Sequence, residues 1–298
     1  MSRIAYVDGR YVPHREASVH IEDRGYQFAD GVYEVCAVMN GRLLDEAPHL
    51  DRLDRSLREL RIPQPMTRPA LLRVLREVVR RNRVRQGLVY MQVTRGVARR
   101  DHPFPAHARP VLVVAAKHVN FAKTAARAAA GVKVITVPDQ RWARCDIKSV
   151  ALLPNILAKQ AAVEAGAFEA WQVDEDGYVT EGSSTNAWIV TKDGVLVTRQ
   201  LGNEILPGIT RAAILAIAKT SNLKVEERPF TVAEAKSARE AFVTSATSFA
   251  MPVIEIDGQA IANGAPGSIA RMLFAAYWDK AKIETGVDPD LILGSTFR

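Results

Sequence analysis

Five segments of this chain set a turn dipeptide between β-rich flanks: "IAYVDGRYV", "GVYEVCAVMNGRLL", "FEAWQVDEDGYVTEG", "NAWIVTKDGVLVT" and "PVIEIDGQAI". The tightest hairpin turns need positive φ at their centre, which Asp, Asn and Gly tolerate best. An Asp-Gly or Asn-Gly pair between apolar flanks is therefore a strong hairpin signal. Recurring hairpins commit much of the chain to antiparallel sheet. No long series of strands alternates with helices, so the pattern predicts an α+β fold and not a doubly wound parallel sheet.

Helices are expected near 49–61 and 68–83, followed by strands at "GLVYMQVTRG" and "RPVLVVAAKHV". The Ala-rich stretch 122–132 lies between two strand signals and reads as a connector. Beyond it come the strand "VKVITVP", a helix over 153–166, a helix opening at "LPGITR", strands near 224–228 and 240–244, and a final helix over 266–283. The domain reading is a small N-terminal domain at 1–118, a connector at 119–130 and a larger domain at 131–298.

Composition narrows the class. With 298 residues, 48% hydrophobic and 24% charged, the chain matches an ordinary soluble globular protein. No apolar run approaches the ~18 residues needed to span a bilayer. The first residues lack the apolar centre of a signal peptide. Two cysteines, Cys36 and Cys145, form no CxxC pair, so neither a disulfide framework nor a metal site is expected, and a cytoplasmic location is the default. The net charge of +7 is concentrated: residues 49–100 hold fourteen arginines, no lysine and four acids. A basic nucleic-acid-binding protein is one reading. However, Leu50, Leu53, Leu57 and Leu60 recur at helical spacing with charges between them, which describes an amphipathic helix with a solvated face. With no recognition-helix, RNP or zinc-finger pattern nearby, no nucleic-acid partner is expected.

Four places could carry chemistry. Lys148 in "CDIKSVALLPN" stands against Ile147 and the apolar residues from Val150. Loss of solvent disfavours a lysine's charged form, and a neutral amine forms Schiff bases with carbonyl compounds. Alternatively its stem packs while the ammonium reaches water. Glu181 in "VTEGSSTN" ends a strand before a Gly-Ser-Ser-Thr run. It could meet a cationic ring nitrogen while the hydroxyls bind an anion, or it could be a surface acid before a polar turn. In "EILPGITR" the N–H groups of Ile209 and Thr210 open a helix, a ready phosphate site; the plain alternative is a turn with Thr210 as the cap. In "RRDHPFP", Arg100 and His102 face one side if the chain is extended and could clamp a carboxylate, or they form a basic surface loop.

Together these pieces supply an amine, an acid, a phosphate cradle and a carboxylate clamp, the set that pyridoxal 5′-phosphate (PLP) needs. The order of "FADGVYEV", "HLDRL", "TRGVARRDH", "RCDIKS", "LAKQAAVEAGAFEAW", "VTEGSSTN", "LPGITR" and "VTSATSFAMPV" resembles the fold-type IV, or class IV, aminotransferases. Within that family it is most similar to enzymes acting on D-amino acids.

The resemblance implies an α/β N-terminal domain and a larger pseudo-barrel domain with PLP between them. It implies that Lys148 forms the Schiff base, Glu181 pairs with the pyridine nitrogen and Arg52 grips the phosphate. Ile209, Thr210 and Ser245 add phosphate contacts, and Leu206 packs on the ring. Tyr33, Arg100 and His102 match the family's carboxylate trap. In the family the Arg-x-His pair comes from the neighbouring subunit, so a homodimer is implied. The implied reaction is ping-pong transamination of a D-amino acid such as D-alanine with a 2-oxo acid such as 2-oxoglutarate. Aminodeoxychorismate lyase and branched-chain or (R)-amine transaminase are the enzymatic alternatives. One departure stands out: Ala246 occupies a position where the family usually has a threonine that lends its hydroxyl to the phosphate, so weaker cofactor retention is expected.

Overall fold

The hairpin signals are realised as backbone geometry. Asp8 and Gly9 (φ 39° and 95°), Asn40 and Gly41 (49° and 77°) and Asp257 and Gly258 (49° and 77°) all turn through positive φ at both central residues, as the tightest hairpin turns require. In this computed structural model, residues 3–288 are described. The outer ends of the two expected domains, 1–2 and 289–298, lie outside the described residues. The chain divides into two units, the first running up to Asn120 with Ile147–Ala151 and Glu284–Val287 added. The second comprises Phe121–Asp146 and Leu152–Ile283 with Asp288.

The first unit contains β1 (Ile4–Val7), β2 (Arg10–Pro13), α1 (Arg24–Phe28), β3 (Gly31–Met39) and β4 (Arg42–Leu43). It continues with α2 (Glu46–Glu59), α3 (Arg68–Arg81), β5 (Gln86–Thr94) and β6 (Val111–His118). The six strands form one antiparallel sheet in the order β2-β1-β6-β5-β3-β4. The leucine stripe of α2 does what its spacing predicts: Leu50, Leu53 and Leu57 are buried in one cluster with Val32, Cys36 and Val38 of β3. The arginines of these helices partly find acids of their own. Arg68 bonds Asp51 at 2.6 Å, Arg76 bonds Glu46 at 2.9 Å, and Arg80 and Arg81 share Glu77.

The second unit begins with α4 (Phe121–Ala130) and β7 (Val132–Pro138), then α5 (Leu153–Glu164), β8 (Glu169–Val173), β9 (Val179–Gly182), β10 (Asn186–Val190) and β11 (Leu196–Thr198). It closes with α6 (Ile209–Thr220), β12 (Val225–Glu227), α7 (Val232–Ser237), β13 (Glu240–Ser245), β14 (Phe249–Ile256), β15 (Gln259–Ala260) and α8 (Ser268–Thr285). Residues 121–130, inside the Ala-rich stretch read as connector, are therefore helical. Phe121, Ala125 and Ala128 bury one face of that helix.

Eight strands follow the order β12-β11-β10-β13-β14-β7-β8-β9, with β15 paired to β14. β9 ends that path while β10 lies third along it, yet one tight turn joins them, with Gly182 N bonding Thr185 O at 2.7 Å. The sheet therefore curls back on itself. β7 and β8 are parallel, and α5 makes the crossover between them. Its small residues Ala158 and Ala162 pack on Ala170. Phe249, fully buried at a left-handed φ of 57°, centres an aromatic cluster with Phe121, Tyr277 and Trp278. Among the described residues, no helix is long and apolar enough to cross a membrane.

Candidate active site

Lys148 is placed by sheet geometry. β4 pairs with β3 only at Val38 and Met39, which leaves the edge of Gly31–Tyr33 open. The segment around Lys148 takes that edge: Tyr33 N donates to Lys148 O at 3.0 Å, Val150 N donates to Gly31 O at 3.0 Å, and Val32 bridges Ser149. Lys148 N also reaches Ser56 Oγ of α2 at 3.3 Å. Ile147 anchors the segment in this unit's hydrophobic cluster. The amine lies 4.2 Å from the centre of the Tyr33 ring. Among the described residues of its unit, no hydrogen bond or ion pair holds Nζ. The Tyr33 ring lies 5.8 Å from that of Tyr90, and burial, with Tyr33 nearby, pushes the Tyr90 hydroxyl up to about 12.

Arg52 of α2 is buried against Glu34, the residue after Tyr33 on β3. It donates to Glu34 through Nε (2.7 Å) and Nη2 (2.9 Å), and His49 Nδ1 lies 2.7 Å from the same carboxylate. Burial alone would raise the Glu34 carboxyl. The Arg52 charge and the hydrogen bonds from Arg52 and His49 outweigh it and hold the group at about 2.

Arg100 and His102 lie on the connection between β5 and β6, which is a bent loop here and no continuation of the strand. They meet at one aromatic ring. The Arg100 guanidinium is 4.6 Å from the centre of Phe28, and the His102 ring is 5.7 Å from it. Both residues are exposed. Among the described residues, no hydrogen bond, ion pair or ring contact joins either to Tyr33 or Lys148.

The second unit assembles the other residues. Glu181, at the end of β9, is 6% exposed. Its Oε2 accepts from Asn186 Nδ2 at 2.9 Å and from Leu206 N at 3.1 Å, and its Oε1 accepts from Arg141 Nη1. Arg141 is fixed in turn by Asp139, through Nε (2.9 Å) and Nη2 (2.7 Å), and by Thr180 Oγ1 (3.1 Å). Burial would raise Asp139 and lower Arg141, but their pairing shifts each the opposite way and keeps both charged. Asn186 Nδ2 also donates to Leu206 O at 3.0 Å, and so ties the acid to the segment that leads into α6. A Cβ on Gly208 would fall 2.0 Å from Asn186 Oδ1, which makes glycine the residue that permits this approach. Gly208, and not Thr210, is the N-cap, and no side chain caps the helix. Ile209 and Thr210 therefore open α6 with N–H groups that no intrahelical carbonyl or capping side chain claims among the described residues, and with no acid in the first turn. Ser245 ends β13, one residue after Thr244, which faces Asn186. Its Oγ lies 3.2 Å from Thr247 Oγ1 and 2.7 Å from Ser248 Oγ.

Three site residues escape sequence reasoning: Glu34, Arg141 and Glu169. Each is an ionisable group inside an apolar or mixed stretch ("GVYEVCAV", "DQRWARCD", "FEAW"), a pattern that signals burial but names no partner. Glu169 also changes the reading of the Gly-Ser-Ser-Thr run. Its buried carboxylate accepts from Ser183 Oγ, from Ser184 Oγ at 2.9 Å and from Thr185 Oγ1 at 3.2 Å. These hydroxyls turn inward onto an acid, not outward toward an anion.

Each unit holds groups of a kind that a phosphorylated pyridine aldehyde takes. The second unit has a buried acid of the sort a ring nitrogen pairs with and two helix-start N–H groups of the sort a phosphate takes, and the first has a lysine amine without a polar partner among that unit's described residues. A family model described as Amino-transferase class IV matches residues 31–256. The D-alanine aminotransferase of Bacillus licheniformis is 42% identical over 278 residues, 93% of this chain and 97% of the relative. The chain belongs to the class IV aminotransferases. Among solved structures, the Escherichia coli branched-chain amino acid aminotransferase shares the fold with a TM-score of 0.87 at 23% identity, covering 97% of both chains. The branched-chain aminotransferase of the thermophilic archaeon Thermoproteus uzoniensis, solved with norvaline, has a TM-score of 0.83 at 26% identity, covering 100% of this chain and 97% of that one.

Proposed function

We propose that this chain is a PLP-dependent aminotransferase that moves the amino group of a D-amino acid, such as D-alanine, to a 2-oxo acid, such as 2-oxoglutarate, in two half-reactions. The observation that carries this is its 42% identity, over 93% of its length, to a D-alanine aminotransferase.

When bound, PLP supplies an aldehyde for amine exchange and a ring that draws off the electron pair of the Cα–H bond. Lys148 is the amine of the protein. It would hold the aldehyde, and once free and neutral its Nζ would be the base that accepts the proton from the substrate's Cα. A backbone fixed at the β3 edge and an amine without a polar partner among the described residues of its unit support that role. Glu181 is the anionic partner of the ring nitrogen, and three donors aimed at its oxygens match a carboxylate. Ile209 N, Thr210 N and Ser245 are assigned to the phosphate. Arg52 shares that assignment, with its orientation set by Glu34. Leu206, bonded to Glu181 through its own N–H, is assigned to the ring face. Tyr33, Arg100 and His102 are assigned to the substrate carboxylate. The protein is placed in the cytoplasm as a homodimer whose Arg100 and His102 serve the neighbouring subunit.

The test is a donor panel of D-alanine, L-leucine and (R)-1-phenylethylamine with 2-oxoglutarate. D-alanine is expected to give the highest kcat/KM. Faster L-leucine would replace this reading with a branched-chain one, and pyruvate released from aminodeoxychorismate with no amino acceptor present would point to the lyase. Arg100→Ala is expected to raise KM for D-alanine by about 10- to 100-fold, the size of one lost hydrogen bond to a charged group, and to leave the amine's KM unchanged. Equal shifts for both donors would remove Arg100 from the carboxylate site.

A further inference from the structure

The loop that carries Arg100 and His102 has no sheet ladder of its own over residues 99–105, yet one buried side chain holds its backbone. Arg24 is 3% exposed. Its Nη1 donates to Asp101 O at 2.6 Å and its Nη2 to His102 O at 3.3 Å. Nε donates to Asp30 Oδ2 at 2.8 Å, which supplies the counter-charge a buried guanidinium needs.

Asp30 is a shared hub. Arg95 donates to it through Nε (2.7 Å) and Nη2 (3.0 Å), and the same guanidinium lies 3.6 Å from the centre of the Phe104 ring. Two arginines fixed on one acid thus grip the loop on either side of Pro103. Local structure places Arg24 to do this. Asp23 caps α1 by accepting from Gly25 N and also from Thr94 Oγ1 of β5, both at 2.8 Å. A Cβ on Gly25 would sit 2.2 Å from Thr94 Cγ2, so glycine is what lets the helical turn lie this close to the strand.

We propose that Arg24 is a positioning residue for carboxylate-bearing substrates. By holding the carbonyls of Asp101 and His102, it fixes where the side chains of Arg100 and His102 are presented. This rests on the reading of that pair as the carboxylate site. Arg24 touches no reacting atom, so its loss acts through the loop. Donors that carry a carboxylate are affected and donors without one are spared.

The test uses the PLP-loaded full chain with Arg24→Gln and Arg24→Lys. Lysine keeps the charge against Asp30 and with it the fold, but it cannot fork to two carbonyls. Both variants are expected to raise KM for D-alanine by about tenfold, the order of one lost charge-assisted hydrogen bond, with the KM for (R)-1-phenylethylamine within about twofold of the parent. Backbone amides of 99–105 are expected to exchange hydrogen at least about tenfold faster, while the core strands β3 and β5 stay protected. Unchanged loop exchange in the lysine variant, or a parallel rise in KM for both donors, overturns the proposal. Should Arg100→Ala leave the D-alanine KM untouched, the carboxylate reading falls, and loop exchange still decides whether Arg24 holds the loop.

Discussion

In the first unit, the Lys148 segment is tied at the main chain by three hydrogen bonds, to Tyr33, Gly31 and Ser56, while among the described residues there its amine meets only the face of a tyrosine ring. In the second unit, Glu181 is tied at the side chain, with Arg141, Asn186 and the Leu206 N–H all donating to its oxygens. The difference matches the work assigned to each. A group that exchanges partners and moves a proton needs a fixed root and an uncommitted head. A group that holds one charge against a ring needs a fixed head. The two kinds of placement also come from different sources: an unpaired strand edge in one case, and converging donors from three segments, two side chains and one main-chain N–H, in the other.

The largest break in this contrast comes from the uncommitted head. Lys148→Ala leaves the main-chain bonds in place and removes the amine. Turnover of D-alanine should fall by at least about 10⁴-fold, and the visible absorbance of the PLP-loaded protein should vanish with it. Normal turnover would remove Lys148 from the chemistry altogether.

The fixed head is tested by Glu181→Gln, which keeps the shape and removes the charge. A loss of roughly 10²–10³ in kcat is expected, as for other groups that stabilise developing charge. The melting temperature should fall too, because Arg141 loses the charge opposite its Nη1. A variant with full kcat would mean that the clamp around Glu181 serves folding alone.

The hairpins and the α2 stripe were legible because their causes are local. Asp8-Gly9 and Asn40-Gly41 turn where those residue types tolerate positive φ, and Leu50, Leu53 and Leu57 bury together because helical spacing puts them on one side. The Ala-rich stretch was harder: alanine suits a helix as well as a linker, and only the burial of Phe121, Ala125 and Ala128 decides. For the candidate site, Lys148, Glu181 and the α6 start stood out as residue types in unusual company. Their partners did not, because Glu34 reaches Arg52 across 18 residues and Arg141 reaches Glu181 across 40. No local period encodes such pairings. The Ser183–Thr185 hydroxyls illustrate the same limit, since their acceptor Glu169 lies on another strand.

The first unit has a clamped acid as well, and there the clamp can be read through pH. Glu34 is held at about 2 in the folded chain, against ~4.3 for an unperturbed glutamate. Its folded value is depressed, so its contribution to stability is fully present above the unfolded value and is lost as pH falls from about 4.3 toward 2. The contribution is of the order of 3 kcal/mol. The melting temperature of the parent should therefore drop more steeply between pH 5 and pH 2 than that of Glu34→Gln, which has no carboxylate to protonate. Parallel curves would show that Arg52 and His49 do not stabilise the ionised form.

The smallest effect concerns the turn after β13. Ser245 Oγ is engaged by Thr247 N (3.3 Å), Ser248 N (3.1 Å) and both neighbouring hydroxyls, so the hydroxyls of this turn already bond to one another. Ala246, half-buried between them, brings none of its own. Ala246→Thr adds a hydroxyl without removing any of these contacts. If that hydroxyl reaches the cofactor phosphate, one neutral hydrogen bond of about 1 kcal/mol should slow PLP loss on dialysis by about fivefold. Turnover of the loaded enzyme should stay the same, because the phosphate takes no part in proton transfer. Unchanged retention would mean that Ser245, Thr247 and Ser248 already fill the role the threonine has elsewhere in the family. The second unit would then hold its phosphate side, like Glu181, through a preassembled network and not through any single residue.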